Sequence, residues 1–178
     1  MIGIRLASPG APVIFTQQRA GLYGKPFKIY KFRTMVPDAE DLLDKIKEEH
    51  GNENDGPAFK LERDPRIFPF GRFLRKFSID EFPQMINVLK GEMSLVGPRP
   101  ERPVFTKQFS EEYLEYMLRH KVKAGMTGWA QIHGMRGNTS LRRRLRYDLY
   151  YVRNWSLWLD VVILVRTFRV VFKGSGAY

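Results

Sequence analysis

The sequence predicts an α/β fold of the α+β kind: one compact domain over residues 1–178, with an N-terminal β-hairpin followed by several helices, and not doubly wound. Residues 11–18 and 27–34 are short runs rich in Val, Ile, Phe and Tyr. Ala20-Gly21-Leu22-Tyr23-Gly24 joins them, which reads as a hairpin with a loose turn. Downstream, helix start and stop signals recur to the end of the chain. A length of 178 residues, 43% hydrophobic and 13% aromatic, is enough to bury a core and excludes disorder.

Pro37 opens an acidic helix over 38–49, its acids in the first turn where the helix dipole favours them. Residues 51–57 form a polar loop. The basic-aromatic stretch 66–77 leads into Ser78-Ile79-Asp80-Glu81-Phe82-Pro83-Gln84 and a helix ending near Lys90-Gly91. Gly97-Pro98-Arg99-Pro100 is a rigid turn, and helices follow over 110–119, 140–153 and 156–172. The most apolar run, 155–165, contains Asp160 and is followed by Arg166, well short of the roughly 20 apolar residues of a spanning helix. Trp155 and Trp158, with Arg153, Arg166, Arg169 and Lys173 around them, suit an amphipathic membrane-surface helix. A core helix with charged ends accounts for the same pattern, and both readings stand.

Lys and Arg number 30 against 19 Asp and Glu, for a net charge of +11. The surplus is uneven. Residues 1–37 hold six basic residues and no acid, 38–115 are net −5, and 116–178 are net +10. Basic ends point to a polyanionic partner: nucleic acid, which charge alone puts first, an anionic membrane or phosphorylated substrates. Cysteine is absent, which excludes disulfides, thiolate chemistry and Cys-built zinc sites. No signal-peptide pattern opens the chain. Walker A, GxGxxG, HExxH and GxSxG patterns are missing, and His50, His120 and His133 are scattered in the manner of structural or surface residues.

The adjacent carboxylates Asp80 and Glu81, between Arg75 and Arg99, are the constellation best suited to chemistry. Nearby arginines keep an aspartate ionised, and an ionised aspartate can attack a phosphoryl centre. A neighbouring carboxylate can hold Mg²⁺, and guanidinium groups suit bidentate contacts to phosphate. Ser78-x-x-Glu81 is equally a capping box, with Ser78 or Asp80 as the N-cap and Pro83 inside the first turn.

Phe27-Lys28-Ile29-Tyr30-Lys31-Phe32-Arg33-Thr34-Met35, Asp64-Pro65-Arg66-Ile67 and the run from Phe70 to Gln84 through Asp80-Glu81 resemble the bacterial sugar transferase family. These are the monotopic polyprenyl-phosphate hexose-1-phosphate transferases. The run from Asn87 to Pro100, Gly128-Trp129-Ala130-Gln131, the run from Tyr147 to Val152 and Gly176-Ala177-Tyr178 continue the resemblance along nearly the whole chain. It displaces nucleic acid as the expected partner.

The resemblance implies Asp80 as nucleophile, Glu81 with Asp80 as the site of Mg²⁺, and Arg75, Arg99 and Lys31 as phosphate-binding groups. Pro98 and Pro100 would stiffen the Arg99 turn, and Asp148 would support the site. The implied reaction takes hexose-1-phosphate, glucose-1-phosphate foremost, from a UDP-sugar (UDP-glucose or UDP-galactose) to undecaprenyl phosphate. It passes through an aspartyl phospho-sugar and releases UMP, as the first step of exopolysaccharide or capsule assembly. Gly134-Met135-Arg136-Gly137-Asn138-Thr139-Ser140 most resembles the glucose-1-phosphate branch of exopolysaccharide enzymes. The expected location is the cytoplasmic face of the bacterial inner membrane. Arg142, Arg143, Arg146, Trp155 and Trp158 would meet an anionic surface, and a homodimer is left open. Two departures stand out. Of the family's hydrophobic re-entrant helix, only residues 1–6 could be a last turn, so a truncated domain or surface attachment is expected. Ala124 stands where Pro is expected before Gly125. A catalytically inactive scaffold and a basic nucleic-acid-binding module are the rival readings.

Overall fold

The computed structural model describes residues 2–50, 61, 63–135 and 139–172. The polar loop 51–57, residues 136–138 of the glucose-associated stretch, Lys173 and the terminal 176–178 motif lie outside the described residues. Helices predominate over two small two-stranded sheets, as an α+β reading requires.

The hairpin forms close to its expected bounds. Strands β1 (Ile14–Ala20) and β2 (Pro26–Phe32) pair antiparallel, with Thr16 opposite Tyr30 and Phe15 opposite Lys31. A 3-10 turn at Leu22–Gly24 joins them. The outer edge of β2 is closed by a side chain. Asn87, fully buried, accepts the Tyr30 N–H at 3.1 Å and donates to the Lys28 carbonyl at 2.8 Å. Its carboxamide thus takes the place of one residue of a third strand, satisfying backbone groups that would otherwise be stranded. The same amide donates to Glu92 Oε2 at 2.7 Å.

Helix α1 (Ile2–Ala7) packs with α3 (Pro69–Lys76), burying Ile4, Phe68 and Leu74 against Phe32 and Val13. The acidic helix α2 is Leu43–His50, five residues later than expected. Arg66 explains the delay. It donates to the Ala39 carbonyl at 3.0 Å, and its own carbonyl accepts the Val36 N–H at 3.0 Å. These bonds hold residues 36–39 outside a helical ladder. Asp64 fixes Arg66 in turn, through a fork of 2.6 and 2.9 Å bonds.

The expected helix over 110–119 is not observed. Helix α5 is Pro103–Glu112, with Pro103 in its first turn, where a missing N–H costs nothing. Tyr113 is extended, and Tyr116–Lys121 forms a separate 3-10 turn. This break allows Tyr116 and Arg119 to face α7 (Leu141–Arg153), where Phe109, Tyr116, Leu145 and Leu149 form one core. Helix α4 (Met85–Leu89) and the strands β3 (Ser94–Val96) and β4 (Gly125–Thr127) complete the centre, the strands pairing in parallel. Helix α6 (Trp129–Ile132) and helix α8 (Leu157–Phe172) close a third core around Val96, Tyr151 and Ile163. No helix among the described residues is long and apolar enough to cross a membrane.

Gly97, just past the end of β3, and Gly125, the first residue of β4, lie back to back. A Cβ on Gly125 would overlap the Gly97 backbone nitrogen and the Thr127 carbonyl. Gly125→Ala should therefore cost roughly 1–3 kcal/mol through overpacking. Chemical denaturation of the variant beside the wild type measures it, and an unchanged midpoint would show that the strands can separate freely.

Candidate active site

Asp80 and Glu81 lie on a 3-10 turn, Ile79–Gln84, that follows α3 through one unusual residue. Ser78 adopts a left-handed conformation (φ 54°, ψ 21°), which L-residues other than glycine rarely take. Its N–H donates to the Arg75 carbonyl at 2.9 Å, and its carbonyl accepts the Glu81 N–H at 3.2 Å. The chain reverses here, carrying Asp80 inward. Of the two expected N-caps, Ser78 occupies the N-cap position but makes no side-chain cap bond, and Asp80 lies within the turn. The Glu81 carboxylate is taken up by Lys31 and Arg99, so there is no capping box.

Glu81 turns instead toward two cations. Lys31 Nζ donates to Oε1 at 2.8 Å; Arg99 Nη2 donates to Oε1 at 2.6 Å and Nη1 to Oε2 at 3.3 Å. Burial pushes the Glu81 carboxyl up, but Arg99 and then Lys31 overcome it and hold the group well below the usual carboxylate range. Lys31 itself is lowered by burial, with Glu81 opposing. Asp80 differs from its neighbour. It is 9% exposed, accepts no hydrogen bond from the described residues, and is raised by burial, against the pull of Lys31, Arg75 and Arg99 and with the push of Glu81. Arg75, whose Nε donates to Thr34 Oγ1 at 2.9 Å, acts on Asp80 through its field. One carboxylate is thus locked and ionised while the other keeps unengaged oxygen lone pairs.

Arg99 is aimed by its backbone. Residues 98–101 present four carbonyls, and each accepts a bond from elsewhere. Gly125 N donates to Pro98, Arg119 Nη2 to Arg99, Arg19 Nη1 to Pro100 and Ala20 N to Glu101, at 3.0, 2.8, 3.4 and 2.9 Å. Pro98 and Pro100 have no N–H to donate, so the carbonyls carry much of the anchoring, with Arg144 Nη1 donating to Glu101 Oε1 at 2.9 Å beside them.

The family profile described as bacterial sugar transferase matches residues 1–174. The chain belongs to the bacterial sugar transferase family. It is 46% identical over 177 residues to the UDP-glucose:undecaprenyl-phosphate glucose-1-phosphate transferase of Escherichia coli (strain K12), covering 97% of this chain and 34% of that protein. It is 44% identical to the UDP-N-acetylgalactosamine-undecaprenyl-phosphate N-acetylgalactosaminephosphotransferase of Aeromonas hydrophila, covering 98% of this chain and 38% of that one. The uncharacterized sugar transferase EpsL of Bacillus subtilis (strain 168) is 44% identical, covering 94% of this chain and 73% of EpsL. The chain spans about a third of the length of the first two relatives.

Within this sugar transferase domain, Lys31, Arg75, Asp80, Glu81 and Arg99 fall together, with Pro98 and Pro100 flanking Arg99. Asp148 does not reach the carboxylates; it is buried on α7 and binds Arg119. Arg142 is exposed, and Arg143 and Arg146 line a groove of about 340 Å³ with Trp129, Met135, Tyr147 and Tyr150. The Trp129 ring stacks on Tyr150 at 5.4 Å, and His133 stacks on Tyr147 at 5.0 Å. Trp155 and Trp158 are exposed at the start of α8. The roles of Asn87 and Arg119 leave no signal in the sequence, because the partners that define them lie 20 to 59 positions away. Ala124 is buried, and its carbonyl accepts the Ser94 N–H at 2.8 Å, a bond that proline would equally accept.

His120 is buried behind the Arg99 turn, its Nδ1 bound to the Gly21 carbonyl at 3.0 Å and its Nε2 without a partner among the described residues. Burial, then the neighbouring Arg119, lowers its pKa from 6.5 to about 4. The unfolded chain therefore takes up this proton first as pH falls, and stability should drop between pH 6.5 and 4. At about 1.4 kcal/mol per pK unit the effect is roughly 3 kcal/mol. Urea unfolding across that range should show a shallower pH slope for His120→Asn, and identical slopes would contradict a neutral buried imidazole.

Proposed function

We propose that this domain transfers hexose-1-phosphate from a UDP-sugar to undecaprenyl phosphate, through a covalent aspartyl phospho-sugar. The observation that carries the reading is the contrast within the pair: Glu81 fastened between Lys31 and Arg99, and Asp80 buried with no hydrogen bond to its carboxylate among the described residues. In the first step an Asp80 carboxylate oxygen bonds to the phosphorus that bears the sugar. The bond from that phosphorus to the bridging oxygen breaks, and UMP leaves with the electron pair. In the second step a phosphate oxygen of undecaprenyl phosphate attacks the same phosphorus and displaces the Asp80 carboxylate. The diphosphate-linked sugar departs and the enzyme is restored. Lys31, Arg75 and Arg99 supply fixed positive charge for the phosphates, and a preorganised charge needs no rearrangement as the reaction proceeds. Relatives named as undecaprenyl-phosphate sugar phosphotransferases support the overall transfer.

The donor set also suits Mg²⁺. Among the described residues Glu81 Oε2 accepts a single 3.3 Å bond and keeps a lone pair, and Asp80 is the adjacent residue in the chain. Among the described residues there is no cluster of three side chains able to ligate a metal ion. One or two carboxylates completed by substrate phosphates is the arrangement Mg²⁺ commonly adopts. Asp80 and Glu81 would hold the ion, and when bound it would neutralise diphosphate charge.

Glucose is the sugar we propose, on the 134–140 stretch and on three relatives of 42–46% identity named as UDP-glucose transferases. Relatives of similar identity are named for galactose and N-acetylgalactosamine, so a panel of UDP-sugars decides. UMP release with undecaprenyl phosphate in detergent should be fastest with UDP-glucose and should vanish in EDTA. Asp80→Asn should lower it by at least about 10³-fold. An asparagine variant with normal turnover would overturn the mechanism and favour a direct transfer.

The acceptor phosphate sits at a bilayer surface, and we propose that the domain docks there. Ile79 and Phe82, on either side of the carboxylates, are exposed, as are Phe70, Phe73, Ile86 and Leu89 on the flanking helices. Arg72 and Lys76 alternate with the phenylalanines of α3. Exposed rings beside cations suit an anionic headgroup layer. Trp155 and Trp158, at the start of α8, are exposed as well. Co-sedimentation should be stronger with anionic than with neutral vesicles, weaken in salt, and fall in Trp155→Ala with Trp158→Ala. Equal recovery from both vesicle types would remove this surface.

A further inference from the structure

Arg119 and Asp148 form an ion pair whose side chains are 2% and 3% exposed. Arg119 Nε and Nη2 both donate to Asp148 Oδ2, at 3.0 and 2.8 Å. Nη1 donates to the Tyr116 hydroxyl at 3.1 Å, and the guanidinium lies 5.2 Å from the Tyr116 ring centroid. Nη2 also donates to the Arg99 carbonyl at 2.8 Å. Three elements, α7, the 116–121 turn and the 98–101 turn, are therefore joined through one guanidinium.

A buried ion pair is a weak source of stability, since well-packed apolar residues of similar volume often do as well. What an apolar pair cannot supply is the hydrogen bond to Arg99. That residue has proline on both sides, and the four carbonyls of residues 98–101 all accept bonds from elsewhere, so carbonyl acceptors carry much of the turn's anchoring. The bond from Arg119 falls on the carbonyl of the residue whose side chain clamps Glu81. Asp148 is what fixes the planar fork of Arg119 in that orientation.

We infer that Arg119 and Asp148 are positioning residues: Asp148 orients Arg119, Arg119 fixes the Arg99 backbone, and Arg99 is thereby aimed at Glu81 and the substrate phosphates. The inference rests on the role given to Arg99 in the proposed reaction. It assigns Asp148 a place in the reaction through two intermediaries rather than by contact with substrate.

Asp148→Asn strands a buried guanidinium and is at risk of unfolding, so the decisive variant is Arg119→Met with Asp148→Leu, which removes both charges and fills the space. Thermal unfolding, UMP release kinetics and the NMR signal of the Arg99 guanidinium, assigned by its loss in Arg99→Ala, are measured on wild type and variants. The apolar pair should melt near the wild type, broaden the Arg99 signal and lower kcat on the order of 10²-fold, the cost of a small misplacement of a reacting group. Added to Arg99→Ala, the same pair should lower kcat by less than about two-fold further, because both changes remove one function. An unchanged Arg99 signal overturns the inference, as does wild-type kcat in the apolar pair or a full further loss in the Arg99→Ala background. Wild-type turnover in Arg99→Ala alone instead overturns the proposed role of Arg99. In that case the NMR signal still reports whether the pair holds that side chain.

Discussion

The Glu81 carboxylate, held at 2.8 Å by Lys31 and at 2.6 Å by Arg99, is the interaction on which the rest of the site depends. It joins three distant parts of the chain: the second strand of the hairpin, the 3-10 turn after α3, and the proline-bounded turn after β3. Burying one carboxylate is costly unless it is paired and hydrogen-bonded, and two cations here more than meet that requirement. The surplus positive charge faces Asp80. The fold thus spends its ionic partners on Glu81 and leaves Asp80 in their field, with no hydrogen bond to its carboxylate among the described residues.

Much of the remaining architecture keeps these three segments in place. Asn87 closes the open edge of β2 and so sets the height of Lys31 on its strand. Ser78, in a left-handed conformation, turns α3 back so that Asp80 and Glu81 face the hairpin. Gly97 and Gly125 allow the parallel strands to touch at the base of the Arg99 turn. A local backbone strain at Ser78 of roughly 1–2 kcal/mol is tolerable where surrounding bonds determine the conformation.

The readable parts were those set by neighbours in sequence. The hairpin followed from two β-rich runs around a glycine-containing turn, α7 and α8 from long periodic segments, and the Asp80-Glu81 pair from its flanking arginines. The failures have identifiable causes. Helix α5 was placed late because residues 105–121 are helical in pattern throughout, while tertiary packing breaks them at Tyr113 and uses Pro103 as a start. Strands β3 and β4, three residues each, are too short to carry a period. The capping box at Ser78-x-x-Glu81 had the right spacing, but Lys31 and Arg99 outcompete a backbone N–H for the Glu81 carboxylate. Arg119 and Asn87 act across 20 to 59 positions, where spacing holds no information.

The central claim is that Asp80 itself carries the phospho-sugar between donor and acceptor. The most direct measurement is rapid-quench UMP release from UDP-glucose in the absence of any polyprenyl phosphate. The account predicts a burst approaching one UMP per enzyme molecule that then stops, with the enzyme heavier by one phospho-sugar. No UMP until the lipid phosphate is added would contradict it.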